Sequence, residues 1–300
     1  RDRLLRDVAR GLGRRALPTV PGAETSSERW FLEGATEHLA DILLAGTSES
    51  DSRFTECLAD RLRRDAASPR ARMLPPARAS ELAFDRGRRG ADAPGHDLAV
   101  RGGLLVLAID LHVRAGGSPG LPDLLRALRD ADGPKVFDRR RLVAAFDRIA
   151  PKALPADFFA RHVDGTEPVD LKPLLASIGF ELESTNGTTA RLGAATRDFT
   201  VTGFDDDSPL RLAGASEGDR LVGIGTSVLG ERGAESVEQV LARHRPGDIV
   251  TVTWRSADGR VTQKAVRATG APPSFRVEPA PVVDEATARR KASFLRGATP

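Results

Sequence analysis

Over the first 180 or so positions, apolar residues recur at the three- and four-residue spacing of helices that bury one face. The pattern predicts a helix from about Trp30 to Ala45, with Thr25-x-x-Glu28 as a capping box before it, and a second from Arg53 to Asp65. Ser68 to Arg78 reads as a Pro- and Arg-rich connector and Gly87 to Gly95 as a loop, after which a buried helix spans about Val100 to Arg114. Leu121, Leu124, Leu125 and Leu128 repeat at helical spacing, as do Leu142, Phe146 and Ile149. Pro155 to Val163 and Val169 to Ile178 complete an all-helical half. From Phe180 the pattern shortens to β-branched runs between glycine turns. Thr200 to Thr202, Arg220 to Ile224, Ile249 to Trp254 and Val261 to Val266 read as strands, with Ser256-Ala257-Asp258-Gly259 as a hairpin turn. Glu235 to His244 is the clear helix among them. The tail from Gly270 to Asp284 is Pro-rich and extended, and Glu285 to Leu295 is compatible with a short helix.

Composition narrows the classes. Three hundred residues, 40% of them hydrophobic, suit two domains with a buried core in each. The longest apolar run, Leu104 to Ile109, ends at Asp110 and falls far short of the roughly 20 residues that a bilayer helix needs. The chain opens at Arg1 with neither an initiator Met nor a charged-then-apolar leader, so it reads as an excised segment, and its compartment stays open. Cys57 is the sole cysteine, which excludes an internal disulfide. The pI of about 9.5 suggests nucleic acid, but the net charge is only +3. Arginines alternate with acids, as in Arg126 to Asp132, so a mixed-charge solvated surface is the reading, with no nucleic-acid partner. Tyrosine is absent, which removes one class of proton donor.

In the second half, Ser208-Pro209-Leu210, Ala213-Gly214-Ala215, Gly218-Asp219 before a strand, the helix over Ser236 to Arg243 and Pro246-Gly247-Asp248 before another strand occur in an order that resembles a PDZ domain. The resemblance spans about 178 to 270. It implies that Arg191-Leu192-Gly193-Ala194 is a loop whose backbone N–H groups hold a terminal carboxylate. An extended peptide would add as a strand beside the helix face carrying Val237, Val240 and Leu241. The same apolar spacing serves equally in a packing module that binds no free peptide.

In the first half, Trp30-Phe31-Leu32-Glu33-Gly34-Ala35-Thr36, then Gly102 to Arg114 with Asp110 at mid-helix, Leu121 to Leu128 and Asp157 to Gly165 resemble in order the glycyl aminopeptidase family of zinc metallopeptidases. In that family a thermolysin-like catalytic domain precedes helices and a PDZ domain. The resemblance implies Glu33 as third zinc ligand, with the other two ligands from an H-E-x-x-H helix. Counting back from Glu33, that helix falls near Leu5-Arg6-Asp7-Val8-Ala9, which has no histidine and places Arg6 where the catalytic Glu belongs. The basic-Pro segment that follows it falls at Arg14 to Pro18. The family's Tyr before the Gly-apolar-Asp helix is replaced by Leu98-Ala99-Val100-Arg101.

The five histidines, His38, His96, His112, His162 and His244, never stand four apart. A Glu in a first helical turn is favoured by the unpaired N–H groups there whatever its ancestry, so Glu33 alone does not imply a metal. His38 is expected to point away from Glu33, and Asp110 to pair with Arg114 at i+4. Asp205-Asp206-Asp207 lacks the glycine and distal Glu of a calcium loop. No Gly-x-Ser-x-Gly elbow and no phosphate-cradling Gly-x-x-x-x-Gly-Lys loop occurs.

The expectation is an α+β chain: a helical peptidase-like domain over 1–177, the C-terminal subdomain of a thermolysin-like peptidase, a small PDZ-like β-barrel or sandwich over 178–270, and a tail over 271–300. Expected function is peptide or protein C-terminus binding without hydrolysis, and no cofactor in this chain although the active family uses zinc. The alternatives are a fragment of an active zinc aminopeptidase whose histidines lie outside the chain, and an interaction module whose groove is filled by its own tail from Ala271 to Val283.

Overall fold

Helices α1 (Arg29–Gly46), α2 (Ser52–Ala67), α3 (Pro76–Arg89) and α4 (Gly95–Ala115) are followed by α5 (Leu121–Arg129), α6 (Arg139–Ile149), α7 (Phe158–His162) and α8 (Lys172–Ala176). These ranges come from a computed structural model that describes residues 27–46, 51–68, 73–89, 95–117, 120–129, 137–185, 187, 189–205, 207–230, 235–271 and 273–296. The fold is mixed helix and sheet, and it divides into two compact units. One is built from the described residues up to 184 and those from 275 onward, the other from 185–274.

In the first unit, α1 and α4 meet backbone to backbone. A Cβ placed on Gly34 would lie 2.2 Å from the Gly102 carbonyl oxygen, and one on Gly102 would lie 2.4 Å from that of Trp30. Only glycine permits this approach. Trp30, Phe31 and Ala35 of α1 and Val106 to Ile109 of α4 bury around the crossing. The N-terminus of α1 is closed by a residue fifty positions on: the Trp30 N–H donates to Ser80 Oγ of α3 at 3.0 Å. Thr25 of the expected capping box lies outside the described residues, as do Leu5 to Ala9 and Arg14 to Pro18.

Helix α3 corrects the sequence reading, which had a connector up to Arg78 and a loop from Gly87. Pro76 holds its φ ready for a first helical turn, where a missing N–H costs nothing, and Ala77, Ala79, Leu82 and Ala83 then supply good helix formers. Strand β1 (Phe180–Thr185), also absent from that reading, pairs with a strand near the chain's other end, which here takes the label β10 (Ser274–Pro279). After β10, helix α11 (Glu285–Arg296) sets Phe294 edge-on to Phe54, with ring centroids 5.3 Å apart. From Phe275 the tail belongs to the first unit, whereas Ala271 belongs to the second, where its N–H donates to the Thr189 carbonyl at 2.9 Å. Ser274 to Pro279 are the partner of β1, which corrects the expectation that Ala271 to Val283 fill a groove in the second half.

The second unit holds β2 (Ala190–Arg191), β3 (Ala194–Arg197), β4 (Thr200–Phe204), α9 (Pro209–Leu212), β5 (Arg220–Ile224), β6 (Ser227–Val228), α10 (Val237–Leu241), β7 (Ile249–Arg255), β8 (Val261–Arg267) and β9 (Thr269–Gly270). The six-stranded sheet runs β3-β4-β5-β7-β8, with β6 on β5, while β2 pairs with β9. The path does not close, so the expected barrel is an open sheet with β3 and β8 at its edges. Inward residues alternate along β7, where Val250, Val252 and Trp254 are buried, and they share a core with Leu210, Leu221, Val240 and Val266. Ser236 and Gln239 form a capping box on α10.

Candidate functional site

The α1–α4 pair carries most of the polar residues that the sequence marks. Asp110, on α4, is the hub. Its Oδ2 lies 2.9 Å from His38 Nε2, and its Oδ1 accepts from Arg114 Nε at 3.0 Å and from the Leu121 N–H at 2.6 Å. Gly120 makes the last contact possible: its φ is +103°, and a Cβ there would stand 2.2 Å from the same Oδ1. Burial alone would raise the Asp110 carboxyl's pKa, but the hydrogen bond and charge of His38, the Arg114 guanidinium and the Leu121 N–H outweigh it and hold the carboxyl below its usual range. The His38 and Asp110 side chains are each only 2% exposed, and Phe294 lies 6.0 Å from the His38 ring, centroid to centroid. A carboxylate so enclosed ties α1, α4 and the start of α5 together and meets no substrate.

Glu33 has a different setting. Its Oε1 accepts from Arg29 Nη2 at 3.2 Å, one turn back on the same helix, and its side chain is 27% exposed. Whether zinc fits can be decided from its neighbours. His38 is committed to Asp110, His162 Nδ1 lies 2.9 Å from the Glu167 carbonyl oxygen, and His112 packs edge-on against Phe158. His244 Nδ1 faces Asp248, 3.9 Å away, in the other unit, and the His96 side chain is outside the described residues. Among the described residues no group of three or more His, Cys, Asp or Glu side chains is placed to hold a metal ion. The described residues alone therefore do not complete a zinc site at Glu33, which needs nitrogen or sulfur ligands beside the carboxylate.

The second unit offers a site of another kind, at residues 191–194. Leu192 turns its carbonyl toward α9, where it accepts from the Leu210 N–H at 3.2 Å and from Ser208 Oγ at 3.1 Å. Gly193, at φ +67°, turns its carbonyl to the Asp205 N–H at 2.9 Å. A Cβ on Gly193 would meet the Ser208 Cα at 2.8 Å, so the turn closes only with glycine. Both carbonyls are thus tied back by one segment, 205–210. Among the described residues none accepts from the N–H of Leu192 or Gly193. Carbonyls turned inward, with no acceptor among the described residues at these two N–H groups, suit an anion.

Strand β3 leaves this loop as the sheet's edge. The Asp198–Phe199 hairpin, with φ values of +49° and +65°, pairs Arg197 with Thr200 and Thr196 with Val201. In a two-residue hairpin the closing pair exchanges its own hydrogen bonds, so the N–H and C=O of Thr196 point to the open side. The remaining residues expected to meet a peptide are placed less openly. Leu192, Val237, Val240 and Leu241 are all buried in the unit's core, where they form a floor rather than a surface. Ala194 is half-buried and Arg191 is 39% exposed at its side chain, with Nη2 3.6 Å from Asp205 Oδ2. Asp206 lies outside the described residues. Ser208 and Asp205, which fix the loop, were missed as site residues. A Ser-Pro step at a helix start was the available signal, since Ser208 also caps α9 by accepting from the Arg211 N–H.

No family model matches the chain, and no curated protein matches it. Among solved structures it is similar to the crystal structure of an aminopeptidase N family protein from Idiomarina loihiensis, at 19% sequence identity and a TM-score of 0.66. The match covers 94% of this chain and 50% of that one, so the chain spans about half the length of that neighbour. At this identity the likeness is one of fold: the chain is folded like part of an aminopeptidase N family protein.

Proposed function

We propose that this chain is a peptidase-related segment that binds extended polypeptide without hydrolysing it. The helical unit is read as the C-terminal subdomain of a thermolysin-like peptidase, and the second unit as a PDZ-like module. A peptide adds as a further strand along β3, and its terminal carboxylate meets the N–H groups of Leu192 and Gly193. One observation carries this: β3 is an open sheet edge that begins at a glycine loop whose carbonyls are tied back. Main-chain pairing supplies the affinity in such binding, and a cradle of N–H groups fixes the register. In the sequence no two of the five histidines stand four apart, and the resemblance puts Arg6 where the catalytic Glu belongs, which supports the non-hydrolytic half of the reading.

Thr196→Pro tests it. Proline is tolerated at edge positions whose N–H faces solvent, so the fold should survive while strand addition is blocked. A randomised octapeptide pool with free carboxyl termini should be retained by the wild-type chain and not by the variant, with the near-ultraviolet signal of Trp254 unchanged. Equal retention by both would refute the β3 site.

A second reading is favoured by the half-length match: an active zinc aminopeptidase whose histidine ligands lie in sequence outside this chain, with Glu33 as third ligand. Elemental analysis of the longest natural form separates the two. About one zinc per chain, with turnover lost in Glu33→Ala, would establish the second reading.

A further inference from the structure

The mouth of the Leu192–Gly193 loop is not electrostatically neutral. Asp205 is joined to both of its sides, through its N–H to the Gly193 carbonyl at 2.9 Å and through its carboxylate to Arg191, whose Nη2 is 3.6 Å from Oδ2. The backbone contact holds the Asp205 main chain beside the loop, which keeps its carboxylate within reach of the guanidinium. Arg191 and Asp205 are 39% and 51% exposed at their side chains, which leaves both open to an incoming group.

We propose that Asp205 is an internal competitor for Arg191, and that the ligand is a peptide whose free carboxylate displaces it. This rests on the peptide-binding reading above and adds to it the identity of the residue that sets selectivity. A ligand carboxylate at the loop competes with Asp205 for Arg191 Nη2, the nitrogen that faces Oδ2 at 3.6 Å. Before that exchange the aspartate screens the arginine and repels other anions. After it, Asp205 faces the ligand's last residues and favours a basic side chain there over an acidic one. Exposed pairs of this kind are worth little, so the device tunes selectivity without closing the site.

Asp205→Asn removes the competing charge and keeps the N–H. The probes are the randomised octapeptide pool with free carboxyl termini and the same pool amidated, each measured on the full chain. We expect Asp205→Asn to raise affinity for the free-carboxylate pool about two- to five-fold and to leave the amidated pool unchanged. Arg191→Gln should reduce the preference for free carboxylate to what the Leu192 and Gly193 N–H groups supply, and adding Asp205→Asn to it should bring no further gain. An equal change for both pools, no change for either, or a gain that persists in the Arg191→Gln background would overturn the role of Asp205 while leaving strand addition standing. Failure of the wild-type chain to bind either pool would instead overturn the peptide-binding reading, and this role with it.

Discussion

A methyl group on Gly34 would stand 2.2 Å from the Gly102 carbonyl oxygen, and that neighbour is backbone, which cannot rotate aside as a side-chain tip could. Helix α1 would have to move off α4. Overpacking of this kind costs on the order of 3 kcal/mol, so Gly34→Ala should lower the urea midpoint of the first unit sharply with its slope unchanged. The glycine of the Glu-Gly step therefore owes its place to packing. His112 gives a second expectation at this scale. Burial, and then the charge of His162, hold its pKa below the ordinary value near 6.5. The unfolded chain consequently binds a proton at a pH where the folded chain refuses one. Stability from this group is complete above about pH 6.5 and is lost as pH falls below it. His112→Gln should flatten stability against pH on the acidic side of 6.5, and a slope as steep as in the wild type would show that another group is responsible. Asp110 shows how far such details can be read in advance. Its bond to Arg114 follows from i+4 spacing, whereas His38 stands 72 residues away and nothing local marks it as the partner.

Helix α1 is an element whose boundary is set elsewhere. The Trp30 N–H donates to Ser80, fully buried on α3, whose own hydroxyl donates to the Pro76 carbonyl at 2.9 Å. Ser80→Ala leaves that N–H unpaired in a dry site. A loss of about 1 to 2 kcal/mol is expected, read by denaturation, with amide exchange at Trp30 accelerated. A variant as stable as the wild type would mean that α1 does not depend on this cap. The same element explains part of what the sequence concealed. Periodicity exposed α1, α2, α4, α5 and α6 because each buries a stripe of large side chains, but α3 is built from small and charged residues, and its proline suggested a break. The strands divide in the same way. Strands β5, β7 and β8 carry β-branched runs, while β2, β3, β6 and β9 are two to four residues long and are held by pairing. The loop at Gly193 and the Ser208-Pro209-Leu210 step were both marked by resemblance, but that the one ties back the other was not legible, since a carbonyl's partner leaves no trace in spacing.

The path of the chain decides how the two units should behave. The chain passes from the first unit to the second at the end of β1 and back at the start of β10, where the side chains of Thr185 and Ser274 hydrogen-bond to each other. The second unit has its own buried core around Trp254, as the first has around Trp30, and these are the only tryptophans in the sequence. Each unit thus carries one fluorescent reporter. Where cores are separate and few chain crossings join them, unfolding proceeds in two steps rather than one. In a Trp254→Phe background, Gly34→Ala should shift the transition reported by Trp30. In a Trp30→Phe background, the same substitution should leave the Trp254 transition where it was. Replacing everything between Thr185 and Ser274 by Asn-Gly, the pair that suits a two-residue hairpin, should leave a first unit that still folds. Coincident shifts at both reporters would mean that the units unfold as one body.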